Sequence, residues 1–190
     1  MKNHGITENT PKEILFGAGV YYKNLKFSGN AWTGDILGAT KGGGKIAITP
    51  EYLPLEVDGA SVKVKGMTKK VAEAGNMEIN LTEINEGLVK TALHLEADDT
   101  EQISGYTKLV TKANIEDEDY LENIAFVGER NDGKKIIVIM PNALCTSALE
   151  LNGVNKEQGS YALNFECHAD LTADDLTKLP IEIYTPVASV

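Results

Sequence analysis

The chain has 190 residues, of which 42% are hydrophobic and 24% are charged, a composition that suits one globular domain with a real core and argues against global disorder. Twenty-eight acidic against eighteen basic residues leave a formal charge of −10, which argues against binding to a phosphate backbone as the main activity. The longest purely apolar stretch, 136–140, is far shorter than the roughly 20 residues that cross a bilayer, so we expect no membrane span.

The N-terminal segment lacks the charged start, the apolar run and the small-residue cleavage site of a signal peptide, so we expect no export by that route. Without an export signal, Cys145 and Cys167 are expected to be reduced, buried thiols and not a disulfide. We expect a flexible N-terminal arm over about 1–11, ahead of the first strand.

Strand-forming residues begin in 12–22, where Gly17 and Gly19 interrupt a run of β-branched and aromatic residues. This pattern predicts a bent or bulged strand. The next segment, 23–45, is rich in Gly, Asn and Ser and ends with three consecutive glycines at 42–44. Its composition predicts a long Gly-rich surface loop, and loops of that length are usually functional or disordered.

Two glycine-containing turns predict β-hairpins. Alternating apolar residues flank Asp58 and Gly59, which predicts a hairpin with a two-residue turn because Asp-Gly tolerates positive φ. The sequence Asn-Asp-Gly at 131–133 is a second strong hairpin signal. Further strands are predicted over 102–113, 120–130, 134–140, 161–168 and 181–184.

Within 76–96 the spacing of the apolar residues changes from that of a strand to that of a helix. It opens with a short strand pattern at 77–81, after which apolar residues fall three and four positions apart. We therefore predict one short α-helix over about 82–93, with Thr82 or Asn80 as its N-terminal cap.

These elements contain no internal repeat and indicate a mainly β fold, an antiparallel β-sandwich or barrel with one short helix. We expect a single domain over 1–190 that ends in a C-terminal extension over about 185–190.

No nucleotide-binding, metal-binding or catalytic motif is complete in this sequence. The glycines before Lys45 do not form a phosphate loop, because Ile46 stands where Ser or Thr is required. Cys167 and His168 are strand neighbours that point to opposite faces, and too few other histidines and cysteines accompany them for a zinc site. The acidic run 116–119 lacks the glycine of a calcium loop. We therefore assign no catalytic, cofactor-binding or metal-binding residue.

Trp32 and the triple glycine are the residues that we expect at a subunit interface. Trp32, the single tryptophan, lies in the predicted loop, which has no obvious core of its own to bury it, and tryptophan is enriched at interface hot spots. Gly42, Gly43 and Gly44 lie in the same predicted loop, where we expect them at the same kind of interface.

Six segments carry a family resemblance that runs nearly end to end. They are PKEILFGAGVYYKN at 11–24, LGATKGGGKI at 37–46, PEYLPLEVDGA at 50–60, MEINLTEIN at 77–85, NFECHAD at 164–170 and LPIEIYTP at 179–186. Together they resemble the major tail proteins, or tail tube proteins, of bacteriophages with long non-contractile tails, particularly phages of Gram-positive bacteria. None of the six is a catalytic signature, so the resemblance is collective.

The resemblance implies a tail-tube fold in which six subunits close a ring and the rings stack around a tape measure protein. It also implies contacts with tail terminator and distal tail or baseplate proteins, a place in the virion tail, and assembly in the host bacterial cytoplasm. Double-stranded DNA would pass through the tube without adhering, and we expect an acidic or neutral lumen wall. The resemblance assigns no strand to the lumen.

Three alternatives remain open at the level of sequence. The tube subunit of a contractile tail or of a tail-derived injection particle resembles the same fold. A carbohydrate-binding β-sandwich module should expose clustered aromatic residues, whereas aromatics make up 6% of this chain and the tryptophan is single. An enzyme should show a convergent set of acid, base or nucleophile, and no such set is evident.

Overall fold

The computed structural model describes residues 3–101, 103–151, 153 and 155–187. The helices are α1 (Thr10–Glu13) and α2 (Glu86–Leu93), with a single 3-10 turn at Asp117–Asp119. The strands are β1 (Leu15–Ser28), β2 (Ala31–Ile36), β3 (Thr40–Pro54), β4 (Thr68–Leu81), β5 (Leu95–Ala97), β6 (Leu109–Thr111), β7 (Leu121–Arg130), β8 (Lys135–Cys145), β9 (Tyr161–Cys167) and β10 (Glu182–Tyr184). Within the described ranges, no helix is long and apolar enough to cross a membrane.

Eight strands form one antiparallel sheet. Its order is β2-β1-β7-β8-β9-β4-β3, and β10 pairs with the part of β8 that β9 leaves free. Strands β5 and β6 form a separate antiparallel pair. The prediction of a mainly β, antiparallel fold with little helix is confirmed, and the arrangement is consistent with a sandwich-like fold.

The central strands β7 and β8 are buried on both faces of the sheet. Alternation along β7 sends Ile124 and Phe126 into the main core, which also includes residues of β4, β9 and α2. The residue between them, Ala125, joins a smaller cluster on the opposite face with Ile137 and Ile139. Burial on both sides explains the unbroken apolar run of β8, because neither face of the strand meets water.

Asn123 is the one buried polar residue of the described core. Its Oδ1 accepts a hydrogen bond from the backbone N of Leu25 at 2.8 Å, and its Nδ2 donates to the backbone O of Leu25 at 3.1 Å. The amide thus replaces a strand partner where the β1 to β2 register shifts between Lys23 and Lys26.

The prediction of a long loop over 23–45 is wrong. Strand β1 continues to Ser28 and turns at Gly29 and Asn30, whose φ angles are 56° and 64°. Two residues with positive φ between paired strands are typical of a tight type I′ hairpin turn. Strand β2 and the start of β3 fill the rest of the segment. Its Gly-rich composition is tolerated because both strands are at the ends of the sheet and pack little side chain.

The helix begins later than predicted, at Glu86. Thr82 still belongs to the strand region, since its backbone N donates to the O of Ala39 at 2.9 Å. The cap is Asn85, whose Oδ1 accepts from the backbone N of Leu88 at 3.0 Å. The helix ends at Leu93, and the residue that caps it, His94, adopts the left-handed conformation.

The predicted two-residue turn at Asp58 and Gly59 is also wrong. Strands β3 and β4 do form a hairpin, but pairing ends at Pro54 and Thr68, and residues 55–67 form a long connecting loop. Asp58 and Gly59 make only a local turn inside that loop, closed by a 3.3 Å hydrogen bond from the N of Ala60.

Other strand predictions agree closely with the structure. The hairpin at 131–133 is confirmed, with Glu129 opposite Lys135. The last two strands are also confirmed as β9 and β10. The predicted strand over 102–113 is reduced to β6, and Gln102 is outside the described residues.

The two chain ends are partly described. Residues 1 and 2 of the predicted N-terminal arm and residues 188–190 of the predicted C-terminal extension are outside the described residues. The end of the N-terminal arm contains the start of α1 and contacts the β7 to β8 turn. There Asn131 Nδ2 donates to the backbone O of Pro11 at 2.7 Å.

Candidate functional site

Trp32 lies on strand β2, not in a loop. Its ring centroid is 5.1 Å from that of Phe27 and 4.9 Å from that of Tyr184. It also packs on the smaller apolar cluster of the sheet. The expectation of a tryptophan without a local core is therefore corrected: Trp32 has packing partners, although its side chain is only half-buried.

Gly42, Gly43 and Gly44 form the start of strand β3, where they approach strand β1. A Cβ at Gly43 would be 3.7 Å from the Cβ of Ala18, and one at Gly44 would be only 2.5 Å from the Tyr21 hydroxyl. Gly42 and Gly43 have φ angles of 81° and 71°, which favour glycine. The three glycines allow the sheet to curl until β3 meets β1.

The structure does not bring Trp32 and the three glycines together. Trp32 packs with the smaller cluster, whereas Gly44 faces Tyr21 of the main core, on the other side of the sheet. The residues nevertheless share one property. They lie on β2 and β3, the two strands that end the sheet order.

The outer edges of β2 and β3 have no strand partner within the described part of the chain. A free strand edge presents unpaired backbone N–H and C=O groups that can pair with another chain. Exposed apolar side chains accompany the first of these edges: Phe16 and Val20 on β1 and Ile36 on β2. Both ends of the sheet are thus open to backbone pairing.

The outer half of the β3 to β4 hairpin projects from the sheet, and we call residues 49–74 the hairpin arm. Strand β9 pairs with β4 only from Asn76 inward, so no third strand of the described chain pairs with the arm. Nearly all of its residues are exposed. An isolated two-stranded hairpin is only marginally stable in water, so an arm of this length is expected to gain stability from a partner.

The hairpin arm exposes many apolar side chains. They are Tyr52, Leu53, Leu55, Val57, Val62, Val64 and Val71. The loop at its tip surrounds a cavity of about 460 Å³ that is lined only by residues of 54–68. A concentration of exposed apolar side chains on one element indicates a candidate interaction site.

A second region, outside the main sheet, is strongly acidic, and we call residues 96–101 and 103–119 the acidic lobe. It contains β5, β6 and the 3-10 turn. Hydrogen bonds from Lys108 and Thr100 hold the pKa of Asp98 well below its ordinary value. Asp98 therefore stays ionised over the whole physiological pH range.

Lys112 anchors the acidic run that follows it. Its Nζ is 2.8 Å from Asp119, and both side chains are largely buried. The hydrogen bond to Asp119 raises the pKa of Lys112. Burial disfavours the charged form of Asp119, but hydrogen bonds from Lys112 and from the backbone N of Glu116 outweigh it, so the pKa of Asp119 is lowered. The acidic run 116–119 is thus held by an ion pair to the residue that follows β6.

Both cysteines are buried and free. Burial raises the pKa of the Cys167 thiol to about 11 and also raises that of Cys145. Because the thiolate is the nucleophile and the metal ligand, thiols with raised pKa are inert packing groups at neutral pH. Among the described residues, no group of three or more His, Cys, Asp and Glu side chains is arranged to hold a metal ion.

A comparison with protein-family models and with curated proteins gives no match.

The sequence predicts a hairpin in this region but not that its outer half projects from the sheet and is exposed. The signal was present in 61–71, SVKVKGMTKKV, where apolar residues alternate with lysines and no acidic residue occurs. Alternation of this kind is typical of a half-buried strand with one face on a core. In the structure both faces of this segment are exposed.

Proposed function

We propose that this chain is a structural subunit of a bacteriophage tail tube, of the long non-contractile type, and that it has no catalytic role. Six copies close a ring, and rings stack into the conduit through which DNA leaves the virion. The proposal combines the resemblance of six sequence segments with the open architecture of the single chain.

One observation carries the proposal: a single chain leaves both ends of its sheet open and an apolar hairpin arm exposed. Such features favour aggregation unless a partner covers them. Joining the β2 edge of one subunit to the β3 edge of the next is a head-to-tail contact, and head-to-tail contacts close into rings when the rotation permits. Ring formation would therefore pair the open edges.

In this arrangement the predicted interface residues take definite positions. Trp32 lies on one joining strand, and Gly42, Gly43 and Gly44 start the other. The part of β3 beyond its contact with Ala18 supplies the free edge. The hairpin arm then extends from the ring and contacts further copies.

The energetics favour cooperative assembly over simple dimers. Burying the exposed halves of the seven apolar side chains of the arm contributes roughly 1 kcal/mol each. A sum of roughly 7 kcal/mol is comparable to the 4–15 kcal/mol that association costs in lost rigid-body freedom. Pairs of subunits therefore associate weakly, whereas a closed ring with several contacts per subunit is stable. An initiating complex of tape measure and tail-tip proteins would accelerate the first ring.

The charge of the chain fits a conduit for DNA. A ring of six copies carries a formal charge of −60. Duplex DNA carries about one negative charge per 1.7 Å, so an acidic or neutral lumen would not hold it. The tail terminator and the distal tail or baseplate proteins would close the two ends of such a tube in the virion.

Two other functions are distinguished by simple observations. A contractile tube would be surrounded by a sheath, so a sheath protein that binds the assembled tube would favour that class. The Phe27, Trp32 and Tyr184 cluster supports a carbohydrate-binding module more than the sequence did. Its rings are inclined by 55° and 70° to one another, however, and do not form one flat platform for a sugar ring. Quenching or a shift of Trp32 fluorescence by oligosaccharides would support that alternative.

The decisive experiment is electron microscopy of the purified protein over a wide concentration range, with and without tape measure and tail-tip proteins. We expect rings or hollow tubes. Light scattering on the same samples measures the concentration dependence. A strict monomer at high concentration, even with those partners present, would exclude the tail-tube role.

A further inference from the structure

One side of the hairpin arm, the segment 61–71, is basic in an acidic chain, whereas the facing segment 49–60 carries Glu51, Glu56 and Asp58. Segment 61–71 contains four lysines and no carboxylate, while the whole chain has a formal charge of −10. Lys70 pairs with Glu73 at 2.6 Å. Lys63, Lys65 and Lys69 are exposed and form no ion pair with any described residue. Three cations on this side of the arm are thus available to a partner.

The acidic lobe has the opposite character. It holds eight carboxylates and two lysines, a net charge of −6. Both lysines are already occupied within the lobe, by ion pairs with its own carboxylates. Glu96, Asp99 and Asp117 are exposed and form no ion pair with the rest of the described chain. Three anions of the lobe therefore remain for a partner.

Both regions also expose apolar side chains beside their charges. On the lobe, Ile103 and Tyr106 are exposed, Tyr106 to 80%. On the arm, Val62 is 77% exposed and Val64 is also exposed. Apolar contacts framed by opposite charges are the usual composition of a protein interface, in which charge gives register and apolar burial gives affinity.

We propose that the hairpin arm of one copy docks on the acidic lobe of a second copy. Within one chain the arm is exposed along its length, so its own lobe does not cover it. The inference rests on the proposed function in that both require self-association, and it assigns the two surfaces that meet. The three free lysines of the arm face the three free carboxylates of the lobe.

A zero-length carbodiimide cross-linker tests the contact directly, because it joins a lysine to a carboxylate only when they touch. Mixing ¹⁴N and ¹⁵N copies of the full chain before cross-linking separates contacts between copies from contacts within one. We expect mixed-isotope peptides that join 61–71 to 96–119. Tubes visible by electron microscopy without such peptides would overturn this inference and leave the tube proposal intact. Mixed-isotope peptides in small oligomers that never form rings or tubes would support this inference and exclude the tube proposal.

Charge reversal supplies the second measurement. Lys63→Glu, Lys65→Glu and Lys69→Glu together should weaken self-association by about 10-fold, since three exposed ion pairs contribute about one order of magnitude. Reversal of Glu96, Asp99 and Asp117 to Lys should have a similar effect. Combining both sets in one chain should restore association to within about 3-fold of wild type.

The matched control changes the net charge equally at three exposed lysines outside the arm, Lys12→Glu, Lys135→Glu and Lys156→Glu. It should change association by less than about 3-fold. Equal weakening by control and arm variants, or no restoration in the combined variant, would overturn the inference. Binding of the wild-type arm to a DNA duplex, lost on arm reversal while self-association stays unchanged, would assign the lysines to nucleic acid instead.

Discussion

Replacing Asn123 with leucine should be among the most destabilising changes that create no cavity. The two side chains have similar volumes, so packing is nearly preserved. The substitution removes both hydrogen-bond partners of Leu25, a residue that is 3% exposed. A buried donor or acceptor left without a partner costs about 1–3 kcal/mol, so two of them cost about 2–6 kcal/mol, reduced by the apolar gain of leucine. We expect a loss of about 3 kcal/mol in the free energy of unfolding.

Urea unfolding followed by far-UV circular dichroism and by Trp32 fluorescence measures this loss. Trp32 packs on the cluster that contains Leu25, so its fluorescence also reports whether β2 is released early. The matched control is Asn80→Leu on β4, because the Asn80 side chain is half-buried and has no hydrogen bond within the described chain. We expect the control to remain within about 1 kcal/mol of wild type.

Asn123→Asp separates the hydrogen-bond argument from simple packing. The carboxylate still accepts from the N of Leu25 but repels its carbonyl O, whereas a protonated carboxyl donates to it. The folded-state pKa of this Asp would therefore be raised, so stability should be greatest at low pH and should fall as pH rises through that pKa. If Asn123→Leu loses less than about 1 kcal/mol, or if Asn123→Asp shows no such dependence relative to wild type, the reasoning fails.

Four further predictions follow from other parts of the molecule. Replacing 56–66 by Asn-Gly, between Leu55 and Met67 whose backbone hydrogen bond is 2.8 Å, should impair tube growth in electron microscopy but leave the monomer's melting temperature nearly unchanged. Gly44→Ala should destabilise by about 3 kcal/mol in urea, because its Cβ would be 2.3 Å from the O of Glu78, whereas Gly5→Ala should be neutral. The folded Cys167 pKa of about 11 exceeds that of an unfolded thiol, so its contribution to stability is complete below pH 9 and declines towards pH 11. The urea midpoint of wild type should therefore exceed that of Cys167→Ser by a smaller margin as the pH rises from 9 towards 11. Assembly should be fastest at intermediate ionic strength, as light scattering will show.

The centre of the sheet could be predicted because its local signals agree with its final environment. The turn at 131–133 has a composition that only a tight hairpin favours, and the flanking segments are apolar enough to be buried on both faces. Local propensity and tertiary burial point to the same structure there. The same agreement accounts for β9, whose alternating residues match its burial pattern.

The strands within 23–45 could not be predicted from composition. A Gly-rich composition is typical of loops, whereas the structure of this segment depends on the pairing of its backbone with other strands. Glycine is rare in strands, yet here it allows β3 to approach Tyr21 and Ala18. That close approach involves residues more than twenty positions apart in the chain. No local pattern distinguishes it from a flexible loop.

The exposure of the hairpin arm could not be predicted for a different reason. The residues from Thr49 to Val71 have strand-like alternation, and sequence reasoning assumes that alternation points one face at a core of the same chain. Here the apolar residues have no core within the described chain. A surface completed by another copy has no separate local signature. The clearest sign of this surface in the sequence is the basic segment 61–71, which lies within an acidic chain.

Opposing electrostatic terms account for the expected dependence of assembly on salt. Two subunits of this size have centres roughly 40 Å apart at contact, and each carries −10, so they repel at long range. The Debye length is about 30 Å at 0.01 M and about 10 Å at 0.1 M, so moderate salt removes most of this repulsion. Ion pairs between the hairpin arm and the acidic lobe act over about 3–4 Å, so they retain most of their strength until the Debye length falls to about 3 Å near 1 M. As the salt concentration rises, the long-range repulsion therefore disappears before the ion pairs weaken. The rate of assembly should be highest between about 0.1 M and 1 M salt. A rate that rises steadily to 1 M salt would show that apolar burial alone drives assembly, and one that falls steadily from 0.01 M would show that the net charge does not oppose it.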